Sequence, residues 1–125
     1  MSTVIQTNQA PAAVGPYSQA IDCGSFVFCS GQIPLVPETG VLAEGGLEPQ
    51  ARQMFANIRA VLAAAGLDFS NVVKTTVFMT DLAQFADFNA IYAEYFPGNP
   101  PARSCVQVAA LPKGALVECE VIAVR

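Results

Sequence analysis

The chain contains no histidine among its 125 residues. Histidine is the commonest metal ligand and the usual base of nucleophilic triads, so its absence excludes most metal and triad chemistry. The four cysteines form no CxxC pair, and no histidine can complete a zinc site with them. The four are Cys23, Cys29, Cys105 and Cys119, and three of them lie within apolar runs. We interpret all four as reduced thiols, which indicates a reducing compartment.

Charged residues are scarce as well, because they make up only 13% of the chain whereas hydrophobic residues make up 53%. Ordinary soluble domains carry more charge and less apolar content. A folded monomer of this mass exposes roughly 6,400 Å² of surface, which so few charges would cover poorly. We therefore predict an obligate homo-oligomer, in which each chain buries apolar surface against its copies.

Other features that the chain lacks argue against membrane and nucleic-acid functions. No stretch approaches 18 uninterrupted apolar residues, and the N-terminus has neither the basic start nor the apolar core of a signal peptide. The expected location is therefore the cytoplasm. The net charge is -4 with only six basic residues, so direct binding of RNA or DNA is not expected. No glycine motif for phosphates and no aspartates at metal spacing occur, so no nucleotide, flavin or metal is predicted.

The hydrophobic pattern predicts one α+β domain over residues 1–125, with two helices packed on one face of a mixed sheet. Helices are expected at 47–65, capped by Gly66, and from near Asp81, whose spacing from Gln84 resembles a capping pair. Several strands are apolar on both sides, so the other sheet face is expected to contact further copies. Strands are expected at residues 3–6, 17–22, 25–32, 72–80, 103–109 and 115–124.

The most informative segment is C-terminal and reads PPARSCVQVAALPKGALVECEVIAVR, which parses as two strands joined by a turn. Arg103 begins the first strand, and Glu118 and Glu120 lie in the second. A guanidinium binds a carboxylate through two hydrogen bonds, and a pocket carboxylate can orient a water or move a proton. A structural ion pair between Arg103 and one of the glutamates stays open as an alternative. For Glu120, simple exposure to solvent is favoured.

Cys105 lies two residues from Arg103 and shares its predicted strand face. The nearby cation is expected to favour the thiolate form of this cysteine. A nucleophilic cysteine normally needs a base such as histidine, however, so covalent catalysis by Cys105 is disfavoured.

Four further residues are suited to a small-molecule site. Tyr17 follows the VGP turn, and loop residues often line sites, although packing is the commoner role of a tyrosine. Ser30 and Gly31 lie at a strand end, where the hydroxyl of one and the backbone N–H of the other can bind an anion. The alternative is that these two residues only terminate the strand. Asn89 is a polar residue in an aromatic helix, where it either serves a site or faces solvent.

Four segments together resemble the RidA (YjgF) family of enamine/imine deaminases: APAAVGPYSQA, CSGQIP, AAGLDFSNVVKTTVFMTDL and PPARSCVQVAALPKGALVE. The resemblance covers nearly the whole chain in order, and the C-terminal segment is its most specific part. The chain departs at Cys119, where the family usually has isoleucine or methionine, and this small apolar exchange concerns local packing. The resemblance implies a chorismate-mutase-like fold and a homotrimer with sheets inside, helices outside and three sites in clefts between subunits.

The resemblance also implies a 2-iminobutanoate/2-iminopropanoate deaminase, which hydrolyses reactive 2-aminoacrylate-type enamines and imines to 2-keto acids and ammonia. It implies neither a metal nor a cofactor. Arg103 is expected to bind the substrate carboxylate, Glu118 to orient the water or assist proton transfer, and Tyr17 to close the pocket. The remaining candidates are expected to line that pocket: Ser30, Gly31, Asn89 and, chiefly through its backbone, Cys105.

Two other functions stay open. A sensor of small carboxylates such as 2-ketobutyrate would use the same cleft and arginine without relevant turnover. A holdase-like interaction protein would instead use the apolar surface and the cysteines. Glu118→Gln separates the sensor from the enzyme, since a binding protein should keep its affinity and an enzyme should lose rate. The holdase is distinguished by whether client protection survives the loss of Arg103.

Overall fold

A six-stranded mixed sheet carries two helices on one face in the computed structural model, which describes residues 2–125. The strand order is β1-β2-β3-β6-β4-β5, and every pair of neighbours is antiparallel except β4 and β5, which are parallel. The α+β prediction is confirmed, including the weak first strand. The elements are β1 (Thr3–Ile5), β2 (Ala20–Asp22), β3 (Phe26–Gln32), α1 (Leu47–Ala64), β4 (Val72–Met79), α2 (Phe85–Tyr95), β5 (Ala102–Gln107) and β6 (Val117–Val124).

The hydrophobic core lies between the sheet and the two helices. Alternate residues of the central strands point into it, and Val77, Val117 and Cys119 are each completely buried. Phe55 of α1 stacks on Tyr95 of α2 with ring centroids 4.2 Å apart, and it also contacts Phe88. Cys119, the position that departs from the family pattern, therefore packs as a small hydrophobic residue.

The helix ends follow local sequence signals with one correction. Gly66, at φ +77°, closes α1 in a Schellman motif in which Leu67 N–H donates to the carbonyl of Leu62. The second α-helix begins at Phe85 rather than near Asp81, because a short 3₁₀ helix over residues 82–84 precedes it. The carboxylate of Asp81 accepts from Ala83 N–H, so it caps this 3₁₀ turn instead.

The two C-terminal strands are not the neighbouring strands that the sequence suggested. β5 pairs only with β4, in parallel, and β4 separates it from β6, which pairs with β4 and β3. Both predicted strands are present, but the expectation that they lie next to each other is wrong, since β6 lies in the middle of the sheet between β3 and β4. The core-facing residues of β6 are all apolar, and they gain more by burial between two strands than at an edge.

The sheet face opposite the helices is apolar and uncovered in the single chain. Phe26, Phe28 and Val106 lie on this open face and remain 47%, 46% and 44% exposed. An apolar face of this kind favours contacts with other copies, so the homo-oligomer remains a prediction with structural support. Neither helix among residues 2–125 combines the length and apolar character needed to cross a bilayer.

Asn57 is a completely buried polar residue of α1 that fixes the segment following β3. Its amide nitrogen donates to the carbonyls of Leu35 and Ile33 at 2.9 and 3.2 Å, and its oxygen accepts from Gln53. The segment has little regular structure of its own, so this one side chain ties it to the helix layer.

We predict that Asn57→Leu lowers the free energy of unfolding by about 1–3 kcal/mol, because it leaves the buried carbonyl of Leu35 and the partly buried carbonyl of Ile33 without their donor while keeping the side-chain volume. Urea denaturation at a fixed protein concentration measures the change. Asn99→Leu, at an exposed position, is the matched control and should change stability by less than about 0.5 kcal/mol. Equal effects of the two variants would contradict the role given to Asn57.

Candidate active site

The seven candidate residues form two groups on opposite faces of the sheet. We call the first group the arginine cluster, which consists of Arg103 and Cys105 of β5 with Asn89 of α2. We call the second group the glutamate cleft, which contains Tyr17, Ser30, Gly31 and Glu118. Strand alternation separates them, because Arg103 pairs with buried Thr75 whereas Glu118 pairs with Phe78 of the open face.

Arg103 is held rigidly by polar and aromatic neighbours. One of its terminal nitrogens donates to the side-chain oxygen of Asn89 at 2.7 Å. The guanidinium carbon lies 4.7 Å from the ring centroid of Tyr92 and 5.3 Å from that of Phe85. The salt bridges among residues 2–125 join other residues, so no carboxylate neutralises Arg103. The predicted alternative of an ion pair with Glu118 or Glu120 is therefore wrong.

One face of α2 supplies the side chains that surround the Arg103 guanidinium. Phe85, Asn89 and Tyr92 are spaced by four and three residues, which places them on the same side of a helix. The hydroxyl of Tyr92 forms a 2.8 Å hydrogen bond with Thr75 of β4, which fixes the ring beneath the guanidinium. The sequence analysis missed the roles of Phe85 and Tyr92 in the site, although their spacing from Asn89 was a usable signal.

Cys105 lies beside Arg103 on the same strand face, as predicted. Burial raises the pKa of its thiol and outweighs the opposing effect of the Arg103 charge, so the expectation of a favoured thiolate is wrong.

The backbone N–H of Cys105 is available to bind a ligand. Val108 N–H donates to the carbonyl of Met79 in β4. Because the backbone N–H groups of successive residues point to opposite sides of a strand, the N–H of Cys105 points away from β4, to the open edge of β5.

Glu118 is a half-buried carboxylate on the opposite face. Burial raises its pKa, and the neighbouring charge of Glu120 raises it further. The carboxylate lies against the backbone of Gly31, where an added Cβ would come within 2.0 Å of one carboxylate oxygen. Position 31 therefore requires glycine for the close approach of Glu118. A raised pKa makes a carboxylate a stronger base, which suits it to accepting a proton from water.

Tyr17 and Ser30 stand beside this carboxylate in a cleft of about 640 Å³. The Tyr17 ring is 51% exposed, and its oxygen accepts a long 3.4 Å hydrogen bond from Val14 N–H, which leaves its own proton for a ligand. The Ser30 hydroxyl donates to the carbonyl of Ser18 at 2.6 Å, so it fixes the chain next to Tyr17. Exposed Glu120 also lines the cleft, in agreement with its expected exposure to solvent.

The two groups supply complementary chemistry that a single chain keeps apart. The arginine cluster offers an uncompensated cation that can bind a carboxylate, and the glutamate cleft offers a proton-exchanging carboxylate with a phenol. The residues that line the glutamate cleft include none of the arginine cluster. Among residues 2–125, no three His, Cys, Asp or Glu side chains are grouped closely enough to hold a metal ion.

Comparison with known proteins gives matches over nearly the full chain. A protein named 2-iminobutanoate/2-iminopropanoate deaminase from Salmonella typhimurium is 52% identical over 128 residues, covering 100% of this chain and 99% of its own. The crystal structure of YyfA of the Rid protein family from Yersinia pestis is 52% identical with a TM-score of 0.97, covering all of both chains. Escherichia coli TdcF, solved with bound serine, is 48% identical with a TM-score of 0.94 and 98% coverage of each chain.

A family model described as Endoribonuclease L-PSP matches residues 7–125. That span includes every residue of the arginine cluster and of the glutamate cleft. The motifs, the fold and the relatives agree with this match, and the chain belongs to the Endoribonuclease L-PSP family, which is the RidA/YjgF family.

Proposed function

We propose that this protein is a 2-iminobutanoate/2-iminopropanoate deaminase, which hydrolyses 2-aminoacrylate-type enamines and imines to 2-keto acids and ammonia. The observation that carries the proposal is the rigid Arg103 guanidinium, which no carboxylate of the described residues neutralises. These substrates carry a carboxylate next to the reacting carbon, so a fixed guanidinium both binds and orients them. The Salmonella relative carries the name of this activity.

The active site is completed, in this proposal, between subunits of a homotrimer. Arg103 lies on the edge strand β5, whose outer backbone groups have no strand partner among residues 2–125. The apolar open face, with exposed Phe26 and Phe28, provides a surface for association. An adjacent copy that packs on this face brings its arginine cluster to the glutamate cleft of its neighbour, which resolves the separation of the two groups.

The proposed mechanism begins with the substrate carboxylate on Arg103 and the N–H of Cys105 at the strand edge. Glu118 accepts a proton from a water molecule, and the water oxygen attacks the carbon of the protonated imine. Glu118 then returns this proton to the amino group of the tetrahedral intermediate. The C–N bond breaks as the hydroxyl proton passes to Glu118, so that the carbonyl of the keto acid forms and ammonia leaves. Tyr17 donates a hydrogen bond to the reacting group.

The other partners that we propose are small molecules and copies of the same chain, rather than nucleic acid or membrane. Of the six basic residues, Arg103 is committed to the arginine cluster, and Arg52 and Arg125 form salt bridges. Too few cations remain to form the continuous basic surface that a nucleic-acid backbone requires. We propose a cytoplasmic location because all four cysteines are free thiols, which is typical of reducing compartments.

We predict that Arg103→Lys lowers kcat/KM for 2-iminopropanoate by about 100-fold, because an ammonium cannot replace the bidentate and stacked guanidinium. The imine is generated in situ by a pyridoxal-phosphate lyase, and ammonia release above spontaneous hydrolysis is measured. Arg59→Lys, an exposed position on α1, is the matched control and should retain wild-type turnover. Full activity of a folded Arg103→Lys protein would remove Arg103 from the mechanism.

We predict that Glu118→Gln lowers kcat by about 100-fold or more and preserves binding of 2-ketobutyrate in calorimetric titrations. The wild-type rate should fall as the pH decreases through the raised pKa of Glu118, because protonation removes the base. Glu120→Gln should shift this acid limb to lower pH, since it removes a charge that raises the pKa of Glu118. Unchanged turnover in Glu118→Gln would support the carboxylate sensor instead.

We predict that a site between subunits shows complementation when two inactive variants assemble together. Arg103→Ala and Glu118→Gln chains are unfolded, mixed in equal amounts and refolded, and each is also refolded alone. Random mixing should restore about one quarter of the wild-type sites, because each site takes its arginine and its glutamate from different chains. Native mass spectrometry should show an assembly of about 39 kDa, three times the 13.1 kDa chain. Mixed trimers without activity would place both residues in one chain.

A further inference from the structure

We infer that Gln19 is a positioning residue, which holds the loop of residues 6–16 so that Tyr17 and the loop wall of the glutamate cleft stay in place. The functional part of this inference rests on the deaminase activity proposed above. The hydrogen bonds of Gln19 with the loop do not depend on that activity.

Gln19 is a buried polar residue whose amide is fully used by the loop. The side chain is only 3% exposed. Its oxygen accepts from Thr7 N–H at 2.7 Å, and its nitrogen donates to the carbonyls of Pro11 and Thr7 at 2.8 and 3.1 Å. One side chain therefore binds three backbone groups on two separate parts of the same loop.

Few other contacts tie this loop to the sheet. The strand pairing of β1 ends at Ile5 and resumes in β2 at Ala20. Outside the strands, the one backbone–backbone hydrogen bond described for residues 6–17 is the local bond from Tyr17 N–H to Gly15. Ala10 is buried in the core and provides an apolar anchor, but a methyl group does not specify the path of the chain around it. The Gln19 amide supplies that directional constraint.

The backbone of Gln19 is in turn fixed to the centre of the glutamate cleft. Its carbonyl accepts from Ser30 N–H at 2.9 Å, and the preceding carbonyl of Ser18 accepts from the Ser30 hydroxyl. Ser30 directly precedes Gly31, against which the Glu118 carboxylate lies. Gln19 thus connects the strand that supports Glu118 with the loop that approaches Tyr17.

The loop contributes directly to the site. Pro11, Ala12 and Val14 line the glutamate cleft together with Tyr17 and with Gln19 itself. Val14 N–H also donates to the Tyr17 hydroxyl, so a displaced loop loses a contact that orients the phenol. Release of Thr7 and Pro11 from Gln19 therefore changes both the wall and the hydrogen-bonding group of the cleft.

The test uses Gln19→Leu, which keeps the buried volume and removes all three hydrogen bonds, with Gln9→Leu as a control at an exposed position in the same loop. Hydrogen exchange of the intact assembly should be faster by about ten-fold or more for the hydrogen-bonded amides of Thr7 and Val14 in Gln19→Leu than in the control. Unchanged exchange would overturn the inference. If the leucine variant does not fold, Gln19→Glu, which keeps the acceptor for Thr7 N–H, replaces it.

A double-mutant cycle with Tyr17→Phe then tests whether Gln19 acts through Tyr17. We expect Gln19→Leu to lower kcat/KM for 2-iminopropanoate by about ten-fold in the wild-type background and by much less in the Tyr17→Phe background. Two results would overturn the positioning role. One is full activity of Gln19→Leu although its loop exchanges faster, and the other is a double variant whose loss of kcat/KM equals the product of the losses in the two single variants. If the wild-type protein shows no turnover, the proposed function fails, and the same cycle on 2-ketobutyrate affinity still decides the role of Gln19.

Discussion

The pairing of β4 with β6 in the middle of the sheet determines where every functional group can lie. In this register Val117, Cys119 and Val121 enter the core between the sheet and the helices. Side chains alternate strictly along a strand, so the burial of these three residues forces Glu118 and Glu120 onto the open face. The same pairing moves β6 away from β5, which leaves Arg103 on an edge strand and on the helix-facing side. The hydrophobic effect that stabilises the sheet thus also separates the cation from the carboxylate.

Arg103 illustrates how a folded chain keeps a charge available for a ligand. A half-buried guanidinium without a carboxylate partner is costly in an apolar environment. Here the aromatic rings of Phe85 and Tyr92 and the amide oxygen of Asn89 reduce that cost without neutralising the charge. The hydrogen bond of Tyr92 with Thr75 of β4 fixes the ring against which the guanidinium lies, so these groups are in place before any substrate binds. Preorganisation of this kind lets binding energy orient the substrate instead of ordering the protein.

The division of the site and the uncovered apolar face are two consequences of the same architecture. The helices cover only one face of the sheet, and the exposed Phe26 and Phe28 make the other face apolar. If copies associate through this face, assembly unites the arginine cluster of one chain with the glutamate cleft of another. Stability and activity would then depend on the same contacts. Gln19 adds a local condition, because it keeps the loop that carries Tyr17 in register with the strand beneath it.

The element types, most of their boundaries, the two-helix layer and the residue types of the site could be predicted from the sequence, because hydrophobic periodicity and caps such as Gly66 are local signals. The resemblance of its motifs to a known family supplied the roles of Arg103, Glu118 and Tyr17, which remain predictions. The sequence did not determine that β4 lies between β5 and β6, because strand order depends on competition for the buried central position and not on nearness in the chain. For the same reason it did not show that Arg103 and Glu118 occupy opposite faces, or that Asn89 faces Arg103 instead of solvent. Tertiary structure alone decided the net pKa shift of Cys105, since burial outweighs a neighbouring charge only once packing fixes both.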